Sequence, residues 1–406
     1  MSEVLDKNVL VKAMEKYPTP FYIYDEAGIR EQAKLVRNAF GWNKGYRNYF
    51  AVKALPNPKI LEILVSEGMR LDCSTFTELL LAEKIGAKAE LIMFSSNNTP
   101  AEGFKKAREL GAIINLDDIT HIDFLEKVAG LPDILSFRYN PGNIIQGNDI
   151  IGNPEEAKFG MTKQQILDGV KIVQQKGVKR FGLHTMVVSN TLDKDIALKI
   201  VKALFELAKE INESCGGVKL EFINLGGGIG IPYKLDQTSF DIQGYSKGVE
   251  ELLHTYLKYT PSIYTECGRY ITGPYGYLIS KVRHIKRTYK TYVGLDASMH
   301  NLMRPAMYGA YHKITILDKN NTSDMNTYDV TGSLCENNDK FAINRRLPEV
   351  KIGDAVVIHD TGAHGHTMGF NYNGMLRSAE VLLHPDKSTE LIRRAETPDD
   401  YFATLV

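Results

Sequence analysis

The chain has 406 residues, 43% of them hydrophobic, and its 49 Lys and Arg balance 49 Asp and Glu. At roughly 150 residues per domain this length suggests two domains, and the charge balance gives no support to nucleic acid or an anionic membrane as a partner. The four cysteines, Cys73, Cys215, Cys267 and Cys335, form no close pair of metal-ligand or redox spacing; reduced thiols and a cytoplasmic location are the expectation for so long a chain.

The opening MSEVLDKNVLVKAMEKYP is charged, so no leader is expected. Nowhere does an apolar run reach the roughly 20 residues that span a bilayer. TPFYIYDEAGI reads as a strand before the first long helix, and its partner is expected in the C-terminal part of the chain. From about 27 to 275, short apolar strands alternate with helical patterns. The strands are NYFAVKA (48–54), MRLDCS (69–74), LIMFSS (91–96), AIINLD (112–117), ILSFRYN (134–140), FGLHTMVV (181–188), LEFINLGG (220–227) and SIYTEC (262–267). Between them, segments such as PKILEILVSEG and TFTELLLAEKIG carry apolar residues at helical spacing and end in glycine. Eight strands alternating with helices predict a (β/α)8 TIM-like barrel, with a doubly wound open sheet as the competing architecture. After about 275 the pattern changes to alternating polar and apolar residues without long helices. This predicts a mostly antiparallel C-terminal β domain, formed by 276–406 together with 1–26.

A barrel places chemistry at the C-terminal ends of its strands. The residues there are Lys53, Asp72 with Ser74, Ser95 with Ser96, Asn115 with Asp117, Arg138 with Asn140, His184 with Ser189, Gly226 to Gly228, and Glu266 with Arg269. Lys53 ends an apolar strand, where a desolvated amine can form Schiff bases, although a surface lysine is the plainer reading. NLGGGIGIPY exposes backbone N–H groups at close range and suits a phosphate, or is simply a tight turn. Cys335 lies in the polar GSLCENNDKFA beside Glu336 and Asp339, a poor core environment and a setting from which a thiol could donate a proton. His364 and His366, two residues apart with no evident third ligand, make a weak case for metal, and none is expected.

Together YFAVKALPNPKIL, LDCSTFTEL, GLHTMVVSN, LGGGIGIPY, ECGR, RPAMYGAYH, CENND and NYNG occur in the order of one family. The chain resembles the fold type III pyridoxal-phosphate-dependent decarboxylases, and among them the diaminopimelate decarboxylases. The resemblance implies that Lys53 holds the cofactor aldehyde. It implies that Gly227, Gly228, Gly268 and the backbone near Arg269 hold the phosphate, and that Glu266 pairs with the ring nitrogen. Asp72, His184, Ser189 and Tyr372 would also border the cofactor. Arg269, Arg304, Tyr308, Glu336 and Tyr372 would bind substrate. Cys335, as proton donor to Cα, would enter with Glu336 from the second subunit of a homodimer.

The implied reaction is decarboxylation of meso-2,6-diaminopimelate to L-lysine, with carboxynorspermidine or another basic amino acid as the alternative substrate and a non-catalytic homologue as the alternative class. Alanine racemases, which share this barrel, pair the ring nitrogen with arginine, so Glu266 argues against them. Four positions depart from the family pattern. Met186 stands where a second histidine usually stacks on the cofactor ring, Val188 replaces a glycine, Cys267 a proline and His364 a tyrosine.

Overall fold

The structure is a computed structural model describing residues 6–144, 155–319 and 325–406; the first five residues of the segment read for a leader lie outside it. It divides into two compact units. One comprises 31–231 and 238–270, the other 1–30, 232–237 and 271–406.

The first strand, β1 (Phe21–Asp25), belongs to the second unit. The first unit is a closed barrel of eight parallel strands: β2 (Arg47–Ala51), β3 (Arg70–Cys73), β4 (Ile92–Ser95), β5 (Ile113–Leu116), β6 (Ile134–Tyr139), β7 (Arg180–Thr185), β8 (Phe222–Asn224) and β9 (Ser262–Thr265). Pairing of Arg47 with Tyr264 and of Asn48 with Thr265 closes the ring. The expected barrel is therefore observed, with strand ends within a few residues of those predicted. Its interior is packed. Tyr49, Met93, Ile113, Ile134, Phe222 and Tyr264 form one buried cluster, in which the Phe222 and Tyr264 rings stack at 4.5 Å. Above this apolar layer, register sets polar residues side by side: Ser95 beside Asn115, Asn115 beside Ser136, Arg138 beside His184, and His184 beside Asn224.

Among the described residues, the second unit holds a nine-stranded mixed sheet. Its further strands are β10 (Gly276–Arg287), β11 (Thr291–Leu295), β12 (Ile314–Ile316), β13 (Met325–Thr331), β14 (Lys340–Pro348), β15 (Ala355–Ile358), β16 (Ala379–Leu383) and β17 (Thr389–Arg393). The main path runs β14-β13-β11-β10-β1-β16-β17, with β15 joining β10 and β12 joining β15. Most pairs are antiparallel, as expected, but β1–β16 and β11–β13 are parallel. The expected partner of β1 is found in the C-terminal strands: β1 lies between β10 and β16. Period-2 alternation explains its packing. Phe21 and Ile23 face a buried cluster that includes Val9, Leu10 and Ala13 of the helix Lys7–Lys16. Tyr22 and Tyr24 point the other way and donate to the Asn301 carbonyl and the Glu380 carboxylate. No helix among the described residues is long and apolar enough to cross a membrane.

Candidate active site

In the barrel, β2 stops at Ala51. Lys53 lies in a 3-10 turn, Val52–Ala54, with its side chain exposed. The expected strand lysine is thus a turn lysine, just beyond the end of β2. Asn57 then caps the helix Pro58–Ser66, accepting from the Lys59 N–H at 3.1 Å, with Pro58 at its first position. Asp72 ends β3, and the next helix is fixed just beyond it. Thr75 caps Phe76–Lys84, while Glu78 reaches back to the Ser74 N–H at 2.6 Å and the Ser74 hydroxyl at 2.8 Å.

Glu266 follows β9 and is buried. It accepts from Asn224 Nδ2 at 2.8 Å, and His184 Nε2 lies 3.1 Å from its carboxylate. Asn224 also accepts the Gly226 N–H at 2.9 Å and so ties the glycine turn to Glu266. Nearby, Arg138 donates to Asp117 at 3.0 Å and to the Met186 carbonyl at 3.3 Å. Burial pushes the Glu266 carboxyl up, but His184 beside it, with Lys53 and Arg138, outweighs burial and holds it below the usual glutamate range. Asp72 goes the other way. Burial first, then the Glu266 charge, pushes it well above the usual aspartate range. The two neighbouring buried carboxyls are therefore shifted in opposite directions, Glu266 down and Asp72 up.

The glycine turn is shaped by contact as well as by backbone. Gly226 and Gly228 have φ of 72° and 89°, in the region only glycine adopts freely. A Cβ on either would strike a carbonyl, that of Thr185 or Val188, and a Cβ on Gly227 would lie 2.6 Å from the Glu266 carbonyl oxygen. A Cβ on Gly268 would lie 2.9 Å from that of Ala54, so the Glu266–Arg269 turn lies directly against the turn carrying Lys53. Arg269 is buried and opens the short helix Arg269–Thr272. Ser189 lies in the loop after β7, whose Thr191 pairs with Ile229 beyond the glycines. Met186 does not simply fill the place of an aromatic ring: its Sδ lies 3.2 Å from the Gly227 nitrogen.

In the sheet unit, the loop between β13 and β14 is held at its root by Asp339. This buried carboxylate accepts from the N–H groups of Met299 at 2.6 Å and Leu334 at 2.8 Å. Asp339 therefore turns inward as a staple rather than standing beside the thiol. Cys335 is exposed, and its N–H donates to Asn373 Oδ1 at 2.7 Å, which brings Cys335 and Glu336 to the turn carrying the half-exposed Tyr372. The loop borders a groove of about 760 Å³ lined in part by Arg283, His284, Lys286 and Tyr292. Arg304 and Tyr308 share the short helix Arg304–Tyr308, the first buried and the second half exposed. Neither ring nitrogen of His366 is turned outward: one meets the Ser378 carbonyl at 3.0 Å and the other Arg377 at 3.0 Å.

Asn224 is the residue found beyond the predicted set; Asp117, expected at its strand's end, pairs with Arg138, and Asp339, expected beside the thiol, is instead a staple. Asn224 had a signal, an asparagine two residues before a glycine run, as a side chain that caps a turn often is.

These residues fit pyridoxal phosphate. Three consecutive glycines leave room that any side chain would fill, and an ionised glutamate backed by histidine suits a pyridinium nitrogen. Asp72 Oδ1 and His184 Nδ1 are buried and meet no protein hydrogen-bond partner among the described residues. The fold and site thus define a pyridoxal-phosphate barrel enzyme. The family model described as pyridoxal-dependent decarboxylase, pyridoxal binding domain, matches residues 26–273, and the chain belongs to that family. It is a pyridoxal-phosphate-dependent amino-acid decarboxylase, a lyase.

Protein TabA of Pseudomonas amygdali pv. tabaci is 44% identical, over 95% of this chain and 90% of that protein. Diaminopimelate decarboxylase of Methanothermobacter thermautotrophicus is 33% identical, over 96% and 92%. Among solved structures, diaminopimelate decarboxylase from Helicobacter pylori complexed with L-lysine superposes with a TM-score of 0.90 at 28% identity, covering 97% of this chain and 98% of that one.

Proposed function

We propose that the chain decarboxylates meso-2,6-diaminopimelate to L-lysine and CO2. The observation that carries this substrate is Arg304, a buried cation held in fixed geometry one helical turn from the half-exposed Tyr308. Such a cation suits a second, distal carboxylate, and ornithine and arginine have none. The diaminopimelate decarboxylases among the relatives support the same reading.

In this reading Lys53 holds the cofactor aldehyde, the Gly226–Gly228 turn and the backbone at Gly268 and Arg269 hold the phosphate, and Glu266 faces the ring nitrogen. Asp72, His184 and Ser189 border the cofactor, and Met186 packs near its ring. When bound, pyridoxal phosphate supplies an electron sink for the pair left on Cα as the Cα–carboxylate bond breaks and CO2 departs. The chain's residues do the rest. Glu266, kept ionised by His184, favours a proton on the ring nitrogen. Asp72, whose carboxyl is pushed upward by burial and by the Glu266 charge, is the less readily ionised of the two. Arg269, Arg304 and Tyr308 orient the substrate's carboxylates, with Glu336 and Tyr372 beside them. The Cys335 thiol donates the proton that replaces CO2 on Cα. The exposure of Cys335 and Glu336 fits a homodimer in which this loop completes the partner's site.

The test is a decarboxylation panel of the purified holoenzyme on meso-diaminopimelate, carboxynorspermidine, ornithine and arginine. CO2 and L-lysine from diaminopimelate alone are expected. Turnover confined to ornithine and arginine would overturn the substrate.

A further inference from the structure

We propose that His312 and Tyr233 are positioning residues, which aim the Arg304 guanidinium and so set the preference for a substrate with a second carboxylate. The inference rests on the reading of Arg304 given above. Arg304 Nη1 lies 2.9 Å from the Tyr233 hydroxyl and 3.0 Å from His312 Nε2. The Tyr233 ring centroid is 4.9 Å from the guanidinium carbon.

An arginine has only donors, so His312 Nε2 must accept and its proton must sit on Nδ1. The other side of the ring agrees: Nδ1 lies 2.9 Å from the His359 carbonyl, which can only accept. The backbone just after β15 thereby fixes the tautomer of His312, and the tautomer fixes Arg304. The Tyr233 hydroxyl and the neutral His312 ring both accept from Nη1 and so orient the guanidinium.

His312 is itself immobilised. It is fully buried, its ring meets Tyr233 edge to face at 5.1 Å, and its carbonyl accepts from Arg345 Nη1 at 2.8 Å. Arg345 in turn stacks 4.0 Å over Tyr311, so the residue preceding His312 is also held. Tyr233 comes from the segment 232–237, which follows the glycine turn in sequence yet belongs to the sheet unit. A segment that crosses over to place one hydroxyl on one guanidinium is a device for orienting a charged group.

The test compares holoenzyme variants His312→Phe, His312→Gln, Tyr233→Phe and Arg304→Met for meso-diaminopimelate kinetics and for binding of L-lysine, which lacks the second carboxylate. Glutamine can accept from Arg304 and donate to the His359 carbonyl. His312→Phe and Tyr233→Phe should each raise KM for diaminopimelate about 10-fold with kcat within about twofold. L-lysine affinity should not move, and His312→Gln should recover most of the lost affinity.

The proposal is overturned if both Phe variants keep wild-type KM, if L-lysine binding weakens in step with KM, or if Gln does no better than Phe. Should His312→Phe fail to fold, Tyr233→Phe, which removes one oxygen, decides alone. Arg304→Met separates the two levels. An unchanged KM in that variant refutes the reading of Arg304 itself, whereas a raised KM there beside silent His312 and Tyr233 variants refutes only the positioning role.

Discussion

Gly227→Ala is the smallest change that tests whether the glycine turn and Glu266 act as one device. The added methyl would sit 2.6 Å from the Glu266 carbonyl oxygen. Ordinary carbon–oxygen contact needs about 3.4 Å, so one of the two backbone segments must give by about 0.8 Å. Neither can yield alone, because the Glu266 N–H is bonded to the Gly226 carbonyl at 2.8 Å and the Gly226 N–H to Asn224. Overpacking of this kind costs about 1–3 kcal/mol, and a displacement near 1 Å at a reacting centre costs on the order of 10²-fold in rate. The assay is equilibrium dialysis of pyridoxal phosphate together with kcat/KM. We expect at least about 10-fold weaker cofactor retention, from the lower half of that energy range, and a loss of about 10²-fold in kcat/KM. The apo chain should lose only a few degrees in melting temperature. A variant with wild-type retention and rate would refute the coupling of phosphate cradle to Glu266.

Glu266→Gln should keep the visible absorbance of the lysine-bound cofactor, since Lys53 is untouched, yet lose about 10²–10³ in kcat, as expected when a preorganised charge is removed. Loss of the absorbance instead would make Glu266 a structural residue. If the sites are shared between subunits, equal amounts of the inactive Lys53→Ala and Cys335→Ala chains, mixed and allowed to exchange, should recover about a quarter of wild-type activity from heterodimers with one intact site; no recovery refutes the shared site. Asp360 tests pH dependence away from the active site. Burial raises its carboxyl to about 7, against the opposing charge of Lys313. In the unfolded chain it titrates near 4, so the folded state holds the proton more tightly. The stability it contributes is full below about pH 4 and is lost as pH rises to about 7. The melting temperature should fall between pH 5 and 8, and Asp360→Asn, which tolerates the φ of 58° there, should flatten that part of the fall; an unchanged slope contradicts it.

The barrel was legible because its strands are short apolar runs between helices whose stop signals are local: Gly68 and Gly86 close the helices after β2 and β3 with φ of 82° and 78°. The polar residues at the strand ends were legible for the same reason, since a side chain that ends an apolar run stands out. What escaped depends on contacts between distant residues. That Lys53 lies in a turn follows from Ala51 being the last residue with a strand partner on β3, which no local pattern encodes. Asp339 looked like a companion of the Cys335 thiol, but the N–H groups of Met299 and Leu334 draw it inward. The opposite shifts of Asp72 and Glu266 arise because His184 and nearby cations outweigh burial at Glu266 but not at Asp72, and two carboxyls almost 200 positions apart carry no sign of it. Met186 was expected to pack under a ring; that its sulfur also meets the Gly227 N–H depends on how the loop after β7 lies against the glycine turn.

The claim on which the rest depends is that Lys53, at the mouth of the barrel, holds the cofactor. Borohydride reduction of the holoenzyme makes the lysine–cofactor bond permanent, and peptide mass spectrometry then locates it. A phosphopyridoxyl group is expected on the peptide containing Lys53 and should be absent from the Lys53→Ala chain. The same adduct on any other lysine, or one that persists in Lys53→Ala, would contradict it.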